Sequence, residues 1–346
     1  MEAKPRVFIS YSHKDRSLVE KIVHVIELNN MIPLWDDHLM VGAGFDEEIQ
    51  DYISQSHIFL PLLTKSSSER GWVHQEIGYA IALHIPVFPL TTEKVLPGGM
   101  LQRIQAIKVE DDEQHLMKLL TAEAFRKLID KIKPVPLFEC AHLSDERSIM
   151  MTNYSNKVAS INKYGLVRQK GGLSSFHIPE VSILKKVWID RYYPEIRSDF
   201  HKKVQRDERI ALQQHAEKEG VRLIINVEYA IQKRSRLSAR TRINTLIEFL
   251  KSPAAHNSVI AIQNNPEKKE SLTIVGDWFV AESVSFKEDE GFTNTFFSRN
   301  ISEILRRIND FESELEDLLK ESGWNENESK DKAIEQLAEL ANRLSE

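Results

Sequence analysis

Between residues 6 and 133, short apolar runs alternate with amphipathic helical segments, and that alternation most limits what the chain can fold into. Residues 6–11 form an apolar run ending in hydroxyl side chains, and Leu18, Val19, Ile22, Val23, Val25 and Ile26 then recur at helical spacing, with Asp15 placed ahead of them as an N-cap. Residues 31–35 read as a second strand, and Phe45, Ile49, Tyr52 and Ile53 line one face of the next helix. Residues 57–63, 85–90 and 104–109 supply three more strands, a helix carrying Glu76 lies between the first two of these, and one long helix over 113–133 closes the set. Strands that alternate with helices at this spacing require right-handed crossovers, which place a parallel sheet between two helical layers.

The rest of the chain is less regular. Pro134 and Pro136 break the helical pattern and open a connecting region over 134–205, with a turn at Lys170-Gly171-Gly172. The pattern then predicts a helix over 199–219 ended by Gly220, strands over 221–230 and 258–263, and a helix over 240–250. Residues 272–275 and 279–284 form a hairpin around Gly276-Asp277, a helix follows over 301–319, and a charged helix over 330–345 comes after the polar break at 325–327. A single cysteine, Cys140, rules out an internal disulfide and fits a reducing compartment. No apolar run approaches the ~20 residues of a membrane span, and no signal-peptide pattern precedes the first strand, so the expectation is a cytoplasmic protein with no membrane partner.

In an open parallel sheet, ligands bind outside the carboxyl ends of the strands. Three loops meet there: Ser10, Tyr11, Ser12 and Lys14 after the first strand; Trp35, Asp36 and Gly42-Ala43-Gly44 after the second; Ser66–Ser68, then Trp72 and Glu76, after the third. Glu76 falls on the edge of the apolar face formed by Val73, Ile77, Ala80 and Ile81, where partial desolvation strengthens the field of a carboxylate on a nearby cation. Ser10 and Ser12 have two readings, phosphate binding or helix capping. Phe8, Trp35 and Trp72 likewise have two, stacking on a ligand or filling the core. The glycine loop lacks the Lys-Ser/Thr of a phosphate cradle. His13, His38, His57 and His74 lack the paired spacing of metal ligands, and Cys140 has no helix to activate it.

Residues 6–12 (Arg-Val-Phe-Ile-Ser-Tyr-Ser), the Trp35-Asp36 loop with its glycines, and Trp72-Val73-x-x-Glu76 resemble the Toll/interleukin-1 receptor (TIR) domain in its bacterial form. The implied fold class is α/β: a flavodoxin-like parallel-sheet TIR domain over 4–133, followed by a second α/β or α+β domain. Active TIR domains cleave NAD between nicotinamide and ribose. The resemblance puts the catalytic carboxylate at Glu76, and Phe8, Ser10, Tyr11, Ser12, Trp35, Asp36, Gly44 and Trp72 around the substrate. NAD is then a substrate, with no resident cofactor and no metal. One carboxylate suffices for such a reaction, because nicotinamide leaves as a neutral molecule and needs no general acid, unlike the sugar oxygen of an ordinary glycoside.

The resemblance also implies TIR–TIR contacts in a homo-oligomer and, for a prokaryotic member, a role in antiviral defence. Residues 134–205 are expected to connect the TIR domain to a sensing or oligomerisation domain over 206–320, with a charged helical tail over 321–346. The stretch 221–319 faintly resembles half of a phospholipase D-type domain. Aligning that family's aspartate with Asp277 puts Leu272 and Glu270 where its catalytic lysine and histidine stand, so its chemistry is not expected here. Two alternatives stay open: a non-catalytic TIR signalling scaffold, and a nucleic-acid-responsive regulator acting through the basic 201–242 region; the trigger expected at the C-terminal half is a small molecule or a nucleic acid. Residues 201–255 carry twelve Lys and Arg against six Asp and Glu, and Arg234, Arg236, Arg240 and Arg242 cluster there.

Overall fold

The computed structural model describes residues 4–35, 45–68, 71–92, 106–131, 139–141, 144–177, 199–231, 235–267, 270–284 and 294–344. The chain divides into two compact units, Glu2–Pro136 and Leu137–Glu346.

The first unit runs β1 (Arg6–Ser10), α1 (Arg16–Leu28), β2 (Ile32–Leu34), α2 (Phe45–Gln55), β3 (Ile58–Leu63), α3 (Lys65–Ser68), α4 (Gly71–Ala82), β4 (Leu90–Thr91), β5 (Ile107–Lys108), α5 (Glu113–Leu119) and α6 (Ala122–Lys131). All pairings are parallel, in the order β2-β1-β3-β4-β5 expected of a flavodoxin-like sheet. Every residue of β1 and β3 is buried, as both-faced coverage requires. Successive side chains go to opposite faces. Val7, Ile9 and Tyr11 join α1, α5 and α6 through Val19, Ile22, Leu116 and Phe125. Phe8 joins α2 and α4 through Ile49, Ile53, Ile77 and Ala80.

Two sequence expectations change here. The strand over 85–90 is shorter than its apolar run: Val87 makes one isolated bridge to Phe59, and continuous pairing covers only Leu90–Thr91. The helix over 113–133 is two helices, because the side chain of Asn29 fills the break. Its Nδ2 donates to the Leu120 carbonyl at 2.9 Å and the Val25 carbonyl at 2.8 Å, and its Oδ1 accepts from the Ala122 amide at 3.1 Å. The amide thus satisfies backbone groups that a continuous helix would have paired internally.

The second unit runs β6 (Glu139–Ala141), α7 (Ser144–Ser160), β7 (Val167–Gly171), α8 (Asp199–Glu219), β8 (Val221–Asn226), α9 (Val227–Ile231), α10 (Arg236–Leu250), β9 (Ser258–Gln263), β10 (Ser271–Val275), β11 (Phe279–Val284), β12 (Asn294–Ser298), α11 (Ile301–Ser322) and α12 (Glu326–Arg343). The seven strands form a mixed sheet, β6-β12-β11-β10-β7-β8-β9, in which only β7, β8 and β9 run parallel. The hairpin turns at Gly276 with φ of 52°, and Gly220 ends α8 with φ of 88°.

The connecting region and the tail both belong to this sheet unit. β7, with Arg168, Gln169 and Lys170 all buried, is one of its middle strands, so the unit begins at Leu137 rather than at 206. Arg168 and Arg222 share the carboxylate of Glu312 on α11, and Lys170 pairs with Glu314 and Glu270. Those ion pairs, with Gln169 Nε2 donating to Ser174 Oγ at 2.8 Å, are what allow three polar residues in a row inside a sheet. β8 stops at Asn226, whose Oδ1 accepts from the Tyr229 amide at 3.2 Å and starts α9. At the other end, Asn325 and Glu328 form a capping box that starts α12. Ala333, Leu337 and Ala341 are buried, and the amide of Ile260 on the edge strand β9 donates to Ser329 Oγ at 3.1 Å. α12 therefore protects an exposed sheet edge. Leu337→Ala is expected to lower the stability of this unit by about 2–4 kcal/mol in urea denaturation, as for a core leucine; a mere tail would show no loss.

Candidate active site

Ser10 is the last residue of β1, and by alternation it shares the face of Phe8, towards α4. Glu76 lies in the second turn of α4, one residue before Ile77 in the core beneath. The two meet: Ser10 Oγ donates to Glu76 Oε2 at 2.5 Å, within the short range of hydrogen bonds to a charged oxygen. Both are nearly inaccessible, Glu76 at 7% and Ser10 at 4% of full exposure, so Glu76 is buried more deeply than an edge position on its helix implies. Among the described residues no cation pairs with Glu76. Burial pushes its carboxyl up from 4.5 to about 7, and the Ser10 hydroxyl opposes that rise.

The other expected site residues divide across the sheet. Phe8 is buried in the core, its ring stacked on Tyr52 at 5.7 Å and Phe59 at 5.8 Å. Tyr11 and Trp35 belong to the opposite face, with ring centroids 6.2 Å apart, and the Arg16 guanidinium sits 5.7 Å over the Trp35 ring. Ser12 is extended, at φ −89° and ψ 134°, and buried, and its hydroxyl makes neither a cap nor any other hydrogen bond. That removes the capping reading for Ser12. Trp72 occupies the first turn of α4. Asp36 and Gly44 lie outside the described residues.

The structure adds two residues that the sequence reading did not place here. Asp15 makes no capping bond; its Oδ2 accepts from Thr64 Oγ1 at 2.7 Å. Thr64 follows the last residue of β3, and its amide donates to Ser67 Oγ at 2.8 Å, which in turn donates to the Leu62 carbonyl at 2.8 Å. A hydroxyl at the end of a strand, opposite an acid in the neighbouring loop, was the available signal.

Among the described residues, no three His, Cys, Asp or Glu side chains are grouped to hold a metal ion, and no helix is long and apolar enough to cross a membrane. In the second unit, Glu270 is ion-paired with Lys170, and Leu272 packs against the core under α11. Arg236 and Arg240 are exposed, whereas Arg242 is 2% exposed. The helix thus turns part of the arginine cluster inward, away from any phosphate backbone.

Residues 7–120 match the family model described as the TIR domain. No curated protein matches the chain. With its parallel five-stranded sheet between helical layers, the first unit is a TIR domain, and an α/β unit with a mixed sheet follows it.

A buried carboxyl whose folded pKa lies above its unfolded one makes the fold less stable as pH rises from the unfolded value to the folded one. Here that window runs from 4.5 to about 7. Glu76→Gln, which keeps the neutral shape, is expected to be more stable than the native chain by about 3 kcal/mol above pH 7, an advantage that fades below pH 4.5. Denaturation curves at pH 4, 6 and 8 check this.

Proposed function

We propose that the TIR domain hydrolyses the nicotinamide–ribose bond of NAD, with Glu76 as the catalytic carboxylate. The observation that carries this reading is a buried carboxylate at the carboxyl edge of the sheet, held by a hydroxyl and without a counter-ion among the described residues. Such an environment suits a ligand that brings its own positive charge, and the TIR family includes NAD-cleaving enzymes. The bonding pair of the ribose C–N bond passes to the pyridinium nitrogen, so nicotinamide departs neutral. Positive charge moves to the ribosyl ring, where the Glu76 carboxylate stabilises it. Water then adds at the ribose carbon and loses a proton, giving ADP-ribose; attack by a group of the same molecule gives a cyclic product instead. The Ser10 hydroxyl orients the carboxylate, and Ser12 supplies a free hydroxyl to the substrate.

In this reading the second unit senses a trigger or drives oligomerisation, and TIR domains of neighbouring copies complete one another's sites. The cellular role is NAD depletion in the cytoplasm of an infected prokaryotic cell. That role rests on the family resemblance.

Purified full-length protein incubated with NAD is expected to release nicotinamide, and mass spectrometry identifies the partner product. Glu76→Ala should lower the rate by about 100-fold or more; an unchanged rate removes Glu76 from the mechanism. A second expectation concerns pH. The active form is the ionised one, so kcat/KM should rise with pH through about 7. Ser10→Ala removes the bond that opposes the upward shift, so its acid limb should move to higher pH; a limb that stays in place or moves down contradicts the role given to Ser10.

A further inference from the structure

The Ser10–Glu76 bond joins two elements that are far apart in sequence, β1 and α4. Ile77 and Ala80 of α4 pack with Phe8 and Phe59, but apolar contacts are non-directional and do not fix a helix to within a few tenths of an ångström. A directional tie exists just above them. Five residues beyond Ser10, Asp15 accepts from Thr64, which begins the short segment leading to α4. Thr64 is 6% exposed and Ser67 is fully buried, and the Thr64 amide, the Ser67 hydroxyl and the Leu62 carbonyl form an unbroken chain of bonds back onto β3. Two side-chain hydrogen bonds, Ser10–Glu76 and Thr64–Asp15, therefore join β1 and the segment after it to α4 and to the residue that follows β3. Neither Thr64 nor Asp15 has a part in the chemistry proposed above.

We propose that Thr64 is a positioning residue for the active site: its hydroxyl, bound to Asp15, holds the start of the β3–α4 connection against the β1 loop so that Glu76 stays within reach of Ser10. The inference rests on the reading of Glu76 as the catalytic carboxylate. The physical lever is geometric, since a shift of about 1 Å in a catalytic group can cost on the order of a hundredfold in rate. A carboxylate acceptor gives this bond more strength than an amide acceptor would.

The test uses the full chain and three variants: Thr64→Val, which keeps the shape and loses the hydroxyl; Thr64→Ser, which keeps the hydroxyl; and Asp15→Asn, which keeps an acceptor without the charge. Thr64→Val is expected to lower kcat for NAD by about tenfold or more with KM within about twofold. Thr64→Ser should stay within about twofold of the native rate, and Asp15→Asn should fall between. A second readout needs no turnover: the pH dependence of the difference in thermal midpoint between each protein and its Glu76→Gln counterpart reports the titration of Glu76. Without the tie, the Ser10 bond weakens, and the titration midpoint in Thr64→Val should move up. A folded Thr64→Val protein with native kcat and native midpoint overturns the proposal. So does equal loss of kcat in Thr64→Ser and Thr64→Val with the midpoint unmoved, which is the mark of a merely structural residue. If the native protein releases no nicotinamide, the NAD reading fails while the midpoint still decides the positioning role.

Discussion

β1 is covered on both sides along its whole length, and its two-residue alternation governs the TIR unit. Val7, Ile9 and Tyr11 are committed to the α1 side and Phe8 and Ser10 to the α4 side. A shift of one residue in its register would send the hydroxyl of Ser10 into the apolar layer under α1 and bring Ile9 against a carboxylate. Pairing with β2 and β3, at Phe8↔Leu34 and Phe8↔Phe59, holds the register against that slip. The same alternation commits Tyr11, with Trp35 packed beside it, to the core on the α1 side of the sheet.

Two carboxylates are buried among the described residues, and the contrast between them separates structure from chemistry. Glu208 on α8 is fully buried, and both its oxygens are satisfied, by Arg147 and by Ser148 at 2.7 Å. A charge paired in that way holds α7 to α8 and has little left for a ligand. Among the described residues Glu76 has one hydroxyl and no cation. Leaving a carboxyl so poorly compensated destabilises the fold, and strain of this kind collects where function requires it. The ion pairs of Arg168, Lys170 and Arg222 with α11 belong with Glu208.

Much of the first unit was legible because its strands are continuously apolar and its helices keep a clean period. That Ser10 and Glu76 stand at the carboxyl edge of the sheet was legible from the strand and helix that carry them. What could not be read depended on side chains supplying backbone partners from a distance. Asn29 splits a helix some ninety residues further along the chain. Asn226 ends a strand whose apolar pattern continues to Ala230. β7 was invisible because Arg168-Gln169-Lys170 has no strand signature unless Glu312 and Glu314 are already known to lie beside it. α12 reads as a solvated tail from its charge, yet a helix with only three or four small apolar positions is enough to cover an edge strand. Asp15 shows the same thing on the scale of one residue: a good N-cap by type spends its carboxylate on Thr64 instead.

Burial acts on Glu76 in two opposed ways. Removing water strengthens whatever field the carboxylate exerts on a cation, and it also raises the carboxyl to about 7, which leaves a large share of it neutral near pH 7. A neutral carboxyl exerts little of that field. In the proposed reaction, the substrate resolves the conflict, because the pyridinium that needs the charge also favours the ionised form by its proximity. The Ser10 hydroxyl pulls in the same direction before substrate arrives, by donating to the oxygen that must carry the charge. Placement then matters more than the number of groups: a carboxylate with a single donor depends on that donor staying in register, and keeping it there is the role proposed for the bond between Thr64 and Asp15.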